Sequence, residues 1–290
     1  MHLLLANPTA GSGKGKRITE TVKKELLHRN IRYVDISGTS FESASTSLRQ
    51  AISSYEPIES LIVVGGDGMV HLAIQQVAGT QIPILLIPAG TGNDLARSLN
   101  LDLNDPARNL ELLNSDTPSL IDLGKSTEIF FADILSTGFD SIVNERANRI
   151  KRVRGRMKYN LAILLELPVF KPRSYRFVVD NDAFEVEAML IAIANGSSYG
   201  GGMKVCPDAK LDDGFFDIMI LEPVSKIEFL RVFPKVFSGA HISHPRVRIL
   251  KGKRVRLDST AVAYADGERI GPLPIEVEIV PRSLRVWRKS

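Results

Sequence analysis

Three times within its first 125 residues, this chain places a short aliphatic run before a glycine-containing loop and a helical pattern after it. The aliphatic runs show no polar–apolar alternation, which is typical of parallel strands covered on both faces. The repeated order of strand, loop and helix therefore predicts a doubly wound α/β sheet. The three loops are NPTAGSGKG (7–15), GGDGMV (65–70) and PAGTGND (88–94).

A different pattern begins near residue 125. Short strand candidates follow, several of them alternating polar and apolar residues as antiparallel strands with one solvated face do. This predicts a mainly antiparallel β domain, either a sandwich or a barrel, and 290 residues suit two domains better than one. Helical stretches are predicted at 141–167 and 225–238, one strand at 183–195, and two separate strands at 274–281 and 284–289.

Composition excludes several classes of protein. The chain is 44% hydrophobic and 24% charged, which excludes a disordered, collagen-like or coiled-coil chain. The single cysteine, Cys206, cannot form an internal disulfide, which predicts a reducing, cytoplasmic setting. The first residues lack the pattern of a secretory signal. The most apolar window, 161–170, is broken by Glu166 and Pro168, so we expect no membrane span.

Basic residues are concentrated in one segment, although the formal net charge is only +4. Seven Arg or Lys residues lie between Arg146 and Lys158. Such a run attracts nucleic acid, a phosphorylated ligand or an anionic membrane, or it forms a solvated helix face. It lacks interleaved aromatic residues for stacking on bases, so we predict that nucleic acid is not the partner.

The three glycine loops have the properties of a phosphate site. They follow the carboxyl ends of parallel strands, where ligands of such sheets bind. Glycine allows close approach of the backbone to an anion, and each following helix adds a positive dipole end. Lys14 could add a full charge and Thr91 a hydroxyl. The first loop lacks the Walker A spacing and the second could be a tight turn, but the three in order indicate a phosphate ligand.

With further motifs, the chain resembles the diacylglycerol kinase catalytic domain family over essentially its whole length. This family includes sphingosine kinases, ceramide kinases and the soluble bacterial lipid kinases. Besides the three loops, the motifs are LAR (95–97), IDLG (121–124), STGFDSIV (136–143), NGSSYGGGMKVCPDAKLDDGFFDI (195–218) and ADGE (265–268).

The resemblance implies transfer of the ATP γ-phosphate to a lipid hydroxyl, in the first place that of diacylglycerol to give phosphatidic acid. It also implies an ATP-binding α/β domain over 1–125, to which a segment near 280–290 returns, and a β-rich lipid domain over 126–279. The predicted fold is thus α/β plus β, a doubly wound nucleotide-binding domain followed by a mainly antiparallel β-sandwich.

The resemblance further implies site residues. Those that would contact ATP are Asn7, Lys14, Ser37 (or Thr39), Gly65, Gly66, Asp67, Gly68, Met69, Val70, His71 and Thr91. Asp67, Asp94 and Asp122 would surround a catalytic Mg²⁺, partly through water, which suits an ion that dehydrates reluctantly. Arg97 and Lys158 would balance this charge, and Glu268 would be the general base. A second, structural Mg²⁺ would use the Asp213 carboxylate and the carbonyls of Lys210 and Phe215.

Each of these acids also has a purely structural interpretation. Asp94 could cap a helix, and Asp122 and Asp213 could be turn residues. Asp266–Gly267 predicts a hairpin turn that leaves Glu268 exposed. Taken together, the acids suit phosphoryl transfer, which needs a metal at the phosphates and a base at the nucleophile. The chain departs from the family pattern at two places. Met69 stands where the family commonly has a small hydroxyl residue, and NGSSYGGG lacks the proline or aromatic residue often seen before its tyrosine. Both departures concern the affinity for the nucleotide and not the class of reaction.

The basic run precedes the most apolar stretch of the chain. Within residues 142–170, apolar side chains would lie beside Arg and Lys, as in segments that rest on a membrane without spanning it. We expect anionic phospholipid to bind through Arg146–Lys158, with the lipid substrate taken from a membrane surface by a peripherally associated enzyme. A core helix packed on the β domain is the alternative. The apolar residues concerned are Val153, Met157, Leu161, Ile163, Leu164 and Leu167.

Three other functions fit parts of the pattern. An NAD kinase shares the GGDG loop and the order of domains, but GTGND and DGFFD favour the lipid kinase. A non-catalytic nucleotide or lipid sensor would have little use for Glu268. A dinucleotide-dependent oxidoreductase could place Asp35 on a ribose, but the glycine spacing is incomplete. The sequence leaves open which lipid is phosphorylated and whether the chain forms a homodimer.

Overall fold

The chain divides into two compact units. The computed structural model describes residues 1–115, 117–150 and 156–289. The first unit comprises Met1–Leu123 with Pro281–Ser290, and the second comprises Gly124–Val280.

The first unit is built on a parallel sheet with the strand order β2-β1-β3-β4. Every residue of β3 and β4 is buried, and so are four of the five in β1, which explains their aliphatic sequences. The predicted doubly wound α/β architecture is confirmed. Its elements are β1 (His2–Ala6), α1 (Lys14–His28), β2 (Tyr33–Asp35), α2 (Phe41–Ser54), β3 (Ser60–Gly65), α3 (Asp67–Val77), β4 (Ile84–Pro88), α4 (Asp94–Ser98), α5 (Pro106–Leu110), α6 (Leu112–Ser115) and β5 (Ser119–Ser126), whose last residues enter the second unit.

The second unit is an antiparallel β-sandwich, so the sandwich prediction is confirmed over the barrel. One sheet has the order β12-β11-β10-β7-β14-β15, and β9, β8, β13 and β16 pair in that order in the other. Its elements are β6 (Ile129–Phe131), β7 (Ile134–Gly138), α7 (Phe139–Arg149), α8 (Arg156–Glu166), β8 (Arg173–Val179), β9 (Asp182–Ala188), β10 (Leu190–Ala194), β11 (Phe216–Leu221), α9 (Lys226–Val232), β12 (Val247–Gly252), β13 (Arg254–Asp258), β14 (Val262–Ala265), β15 (Glu268–Pro272) and β16 (Ile275–Val286).

Two hydrophobic clusters hold the second unit together. One fills the space between the sheets and contains Tyr175 and Phe177 from one sheet and Phe216 and Ile218 from the other. The second cluster joins the six-stranded sheet to α7, α8 and α9. There the Phe139 ring meets the rings of Phe170 and Phe229 edge to face, with centroids 5.2 and 5.0 Å apart.

The last strand differs from its prediction. The segments 274–281 and 284–289 were expected as two strands, but β16 runs unbroken for 12 residues. Pro281 does not end the strand, because proline is tolerated where the hydrogen-bond ladder is irregular. The φ of 51° at the next residue, Arg282, marks such an irregularity. The first part of β16 pairs with β13 in the second unit, and its last residue, Val286, pairs in parallel with Ile84 of β4 in the first.

Other boundaries also differ. The segment 183–195 forms two strands, because the Met189 backbone between them bonds to Leu221 and Phe139 instead. Helix α2 begins at Phe41, because Ser40 and Ser43 form a capping box before it. Leu27 of α1 is 67% exposed although it directly follows buried Leu26, since consecutive residues on a helix lie 100° apart around the axis.

Candidate active site

The glycine loops converge on one cavity in the first unit. Its volume is about 390 Å³, and it opens where β1, β3 and β4 end. All three predicted loops contribute to its wall, together with the loop that follows β2. The lining residues are Ala6, Asn7, Thr9, Ala10, Gly11, Gly38, Thr39, Ser40, Phe41, Ala44, Gly66, Asp67, Gly68, Met69, Gly90, Thr91 and Gly92.

Glycine is required where the loops touch. A Cβ built on Gly90 would lie 2.5 Å from the Gly66 Cα, so these two loops meet backbone to backbone. Gly11 has a φ of +57°, and a Cβ there would lie 2.3 Å from the Ala89 carbonyl oxygen. A side chain at either position would force the loops apart, because backbone atoms cannot yield as a flexible side chain can.

Asp67 links two of the loops. Its carboxylate accepts the backbone N–H of Asp94 at 2.9 Å and that of Asn93 at 3.0 Å. Asn93 has a φ of 56°, and its side-chain amide accepts the Gly90 N–H at 2.9 Å and donates to the Gly90 carbonyl at 3.0 Å. Arg97 donates to the Gly92 carbonyl at 3.3 Å. The GGDG and GTGND motifs therefore form one hydrogen-bonded structure.

Two carboxylates flank Gly92 at the edge of the cavity. A Cβ on Gly92 would lie 2.2 Å from Asp67 Oδ2 and 3.3 Å from Asp94 Oδ2. Asp94 is 6% exposed, and as the first residue of α4 it does not act as the N-cap, which is Asn93. The structure therefore brings Asp67 and Asp94 together.

Asp122 occupies a different position. It is 2% exposed, and its carboxylate accepts the Arg282 N–H at 2.8 Å, which ties β5 to the returning C-terminal segment. Within the described part of the chain, no three His, Cys, Asp or Glu side chains form a group that could hold a metal ion. The predicted acidic network is thus not assembled as a directly coordinating triad.

The other predicted nucleotide contacts divide into two sets. Asn7, Gly66, Gly68, Met69 and Thr91 line the cavity. The remaining residues, Lys14, Ser37, Gly65, Val70 and His71, are outside its lining.

The loop after β2 turns Thr39, and not Ser37, toward the cavity. The Ser37 hydroxyl accepts the Ala6 N–H at 2.9 Å and so joins the ends of β1 and β2. Of the two residues that the resemblance offered here, Thr39 lines the cavity, while Ser37 joins the strand ends.

Met69 lies buried beside Gly65. A Cβ on Gly65 would come within 2.6 Å of the Met69 Cβ, so the glycine makes room for the methionine. The cavity therefore has a thioether at the position where the resemblance leads one to expect a hydroxyl.

Glu268 lies in the second unit at the start of β15 and is exposed. The hairpin turn predicted before it is present, with φ of 49° at Asp266 and 86° at Gly267. The Asp266 carboxylate accepts three consecutive backbone N–H groups, from Ala132 at 2.7 Å, Asp133 at 3.0 Å and Ile134 at 3.1 Å. Sequence reasoning took Asp266 for a plain turn residue, and no local signal points to so distant a partner.

The turn predicted to hold a structural Mg²⁺ has a different organisation. The Asp213 carboxylate accepts the Phe215 N–H at 3.1 Å and the Lys251 ammonium at 3.0 Å. Lys251 also lies 3.6 Å from the Asp217 carboxylate, whose pKa is raised by burial against the opposing effect of Lys251. The Lys251 ammonium therefore supplies positive charge at the carboxylate that the resemblance assigns to Mg²⁺, and the Mg²⁺ site of Lys210, Asp213 and Phe215 stays a prediction.

This arrangement predicts indifference to chelators. Because Lys251 supplies the positive charge, EDTA should leave the melting temperature unchanged, measured by differential scanning fluorimetry. Lys251→Met should lower it by roughly 1–4 °C, the range for a partly exposed ion pair. Lys24→Met, at an exposed position of α1, is the control. A melting temperature that falls in EDTA and recovers with Mg²⁺ would contradict this assignment.

The basic run is only partly described. Lys151, Arg152, Val153 and Arg154 lie outside the described residues, as does the side chain of Arg156. Arg146 pairs with Glu166, and the Lys158 ammonium lies 5.9 Å from the centroid of the Tyr159 ring. Of the predicted apolar residues, Leu167 is buried while Met157 and Leu164 are exposed. No helix in the described ranges is long and apolar enough to cross a membrane.

Solved structures share this fold, in which a parallel α/β unit precedes a β-sandwich. The NAD kinase from Archaeoglobus fulgidus, solved in complex with ATP, has this fold with a TM-score of 0.57 and 11% identity over 99% of this chain and 94% of its own. A diacylglycerol kinase from Bacillus anthracis str. Sterne reaches a TM-score of 0.76 at 19% identity, over 99% and 96% of the two chains.

Sequence comparison identifies the family. Residues 1–126 match the diacylglycerol kinase catalytic domain, and residues 133–288 match the YegS C-terminal NAD kinase beta sandwich-like domain. The diacylglycerol kinase of Mycobacterium tuberculosis (strain ATCC 25618 / H37Rv) is 37% identical over 98% of this chain and 94% of its own. That of Bacillus subtilis (strain 168) is 26% identical over the same shares. The chain belongs to the diacylglycerol kinase family of lipid kinases.

Proposed function

We propose that this protein transfers the γ-phosphate of ATP to the free hydroxyl of diacylglycerol, giving phosphatidic acid, and that it does so from the cytoplasm at a membrane surface. The observation that carries the proposal is the cavity where Asp67 ties the GGDG loop to the GTGND loop. Glycine-rich backbone beside a helix N-terminus suits phosphate groups, and the relatives named above are diacylglycerol kinases.

The proposed place of the ATP phosphates is the cavity wall formed by Gly66, Gly68 and Gly90, with Thr91 donating its hydroxyl. Asp67 and Asp94 would hold Mg²⁺, largely through water, with Asp122 acting from farther away. When bound, Mg²⁺ would neutralise the phosphate charge that grows as the γ-phosphoryl group departs. Oxygen donors of this kind fit that ion.

Glu268 is the proposed general base. Its carboxylate would accept the proton of the lipid hydroxyl while the hydroxyl oxygen forms a bond to the γ-phosphorus and the bond to the ADP oxygen breaks. The proton then passes to solvent. The exposure of Glu268 suits this role, because the base must contact the hydroxyl of a lipid that comes from the membrane.

Asp266 would act as a positioning residue for Glu268. Its three backbone hydrogen bonds anchor the turn that carries the base. We expect Asp266→Ala to lower kcat by about 10²-fold, the effect of roughly 1 Å of misplacement, while KM for ATP changes little. Asp266→Asn, which keeps one acceptor oxygen, should recover part of the loss. Equal losses in kcat and in KM for ATP would contradict a positioning role.

Turnover of γ-labelled ATP with Mg²⁺ tests the proposed reaction. The acceptors are diacylglycerol, a long-chain base, phosphatidylglycerol and a glycolipid in mixed micelles, with NAD offered in parallel. We expect the label in phosphatidic acid. Label in NAD would favour the second candidate, an NAD kinase, which the shared fold supports. Absence of label from every acceptor, with ATP still bound, would reject the kinase reaction for the lipids tested and favour a sensor.

A further inference from the structure

One helical segment of the second unit is apolar on both sides. Helix α9 and the 3₁₀ turn Phe233–Phe237 bury Phe229, Val232 and Val236 in the cluster under the six-stranded sheet or at its margin. On the opposite side Ile227, Leu230 and Phe237 are 65%, 50% and 49% exposed. A helix buried on one face normally carries polar residues on the other, so these exposed apolar side chains make the segment a candidate docking surface.

Cations share this outward side. Arg231 and Lys235 are exposed; Arg231 lies four residues after Ile227, on the same side of α9, and Lys235 lies in the 3₁₀ turn that follows. Glu228 is the sole acid in residues 225–238, and it is committed elsewhere. It completes the capping box with Ser225 and lies 3.1 Å from His244. We call the outward residues Ile227, Leu230, Arg231, Lys235 and Phe237 the α9 face.

Exposed apolar side chains also occur on α8 and on the residues that follow it up to Phe170. The Lys226 ammonium donates to the Phe170 carbonyl and lies 5.6 Å from the centroid of the Phe170 ring, so the start of α9 contacts the end of this stretch. There Leu164 and Val169 are 63% and 68% exposed. Glu166 is buried and paired with Arg146, which leaves little negative charge at this surface.

We infer that the α9 face docks on an anionic membrane. Ile227, Leu230 and Phe237 would enter the boundary between headgroups and acyl chains, while Arg231 and Lys235 contact lipid phosphates. The charge decides the occupant, because apolar side chains flanked by cations alone match an anionic lipid surface. The inference deepens the proposed function, on which it rests, by adding a second docking element that lies outside the basic run Arg146–Lys158.

Tryptophan fluorescence tests the insertion directly. The chain has one tryptophan, Trp287, which is 5% exposed and so gives a constant background. Leu230→Trp should show a blue shift and quenching by brominated acyl chains when phosphatidylglycerol vesicles are added, but not with phosphatidylcholine vesicles. Leu27→Trp, on an exposed helical position of the first unit, should show neither. An unshifted emission spectrum of the Leu230→Trp variant on vesicles that carry bound protein would overturn the inference.

Vesicle co-sedimentation measures separately how much the apolar and the cationic side chains of the α9 face contribute to membrane binding. Ile227→Ser with Leu230→Ser, and Arg231→Glu with Lys235→Glu, should each weaken binding to phosphatidylglycerol vesicles by roughly tenfold or more. The control pair, Leu27→Ser with Lys24→Glu, should bind as the parent does. These vesicles contain neither ATP nor diacylglycerol, so the result for membrane docking does not depend on whether the protein phosphorylates diacylglycerol.

Two further measurements exclude other causes. Turnover of a short-chain, water-soluble diacylglycerol should be unchanged in the α9 variants, because that substrate needs no membrane. Sedimentation in solution should give one mass for the parent and all variants. If the α9 substitutions instead convert a dimer to a monomer, or leave vesicle binding intact, the α9 face is not a membrane-docking surface.

Discussion

Replacing Glu268 with glutamine should lower kcat by roughly 10²–10⁴-fold and leave ATP affinity nearly unchanged, since a positioned base contributes about this much and glutamine cannot accept the proton. Glutamine has nearly the same shape as glutamate, so the loss would report chemistry and not folding. Steady-state kinetics with diacylglycerol and ATP titration by calorimetry measure the two effects separately.

A matched control is available for this substitution. Glu276 is an exposed glutamate on β16 that pairs with Arg256 at 2.7 Å, and Glu276→Gln should leave kcat within about twofold, as is usual for an exposed ion pair. Wild-type turnover by Glu268→Gln would remove Glu268 as the base.

Replacing Asp67 with alanine should weaken ATP binding and lower turnover together. The carboxylate holds two backbone N–H groups at the start of the GTGND loop, and without it both lose their acceptor. We expect a stability loss of about 1–3 kcal/mol, with kcat lowered by more than about 10²-fold because the loops no longer hold the phosphates in place. Isothermal calorimetry with ATP and chemical denaturation give the two quantities.

Asp105 provides the comparison for Asp67. Its carboxylate also accepts two backbone N–H groups, those of Ala107 and Arg108 at 3.0 and 3.2 Å, at the N-terminus of α5 away from the cavity lining. Asp105→Ala should therefore lose about 1 kcal/mol of stability, as N-cap replacements do, while ATP binding persists. If both variants bind ATP equally well, Asp67 has only a structural function.

The parts of the fold that were predictable from sequence have local causes. Strands β1, β3 and β4 are buried over all or nearly all of their length, and uninterrupted runs of aliphatic residues in the sequence predict such burial. The loops that follow them could be placed because parallel strands end at the same edge of a sheet. Gly66 and Gly90 approach each other because neither has a side chain, which two glycine-rich motifs already suggest.

The parts that escaped prediction depend on distant partners. Asp266 accepts hydrogen bonds from the backbone of residues 132–134, and Lys251 forms an ion pair with Asp213. The periodic pattern of apolar residues does not predict contacts between residues so far apart in the chain. The choice between Ser37 and Thr39 depends on the path of one loop. The α9 face was predicted as a helix, but which of its apolar side chains are exposed depends on how the segment packs beneath the sheet.

The C-terminal strand has a consequence for how the protein is made. Ser283 accepts the Gly79 N–H at 2.7 Å, Trp287 donates to Ile84 at 3.1 Å, and Lys289 donates to Leu99 at 3.1 Å. These partners are translated long before Pro281–Ser290, with the whole second unit between them in the chain. The α/β unit is thus completed only after the second unit has been made, and a truncation after Val280 would damage the α/β unit and not the strands of the β-sandwich that precede the cut.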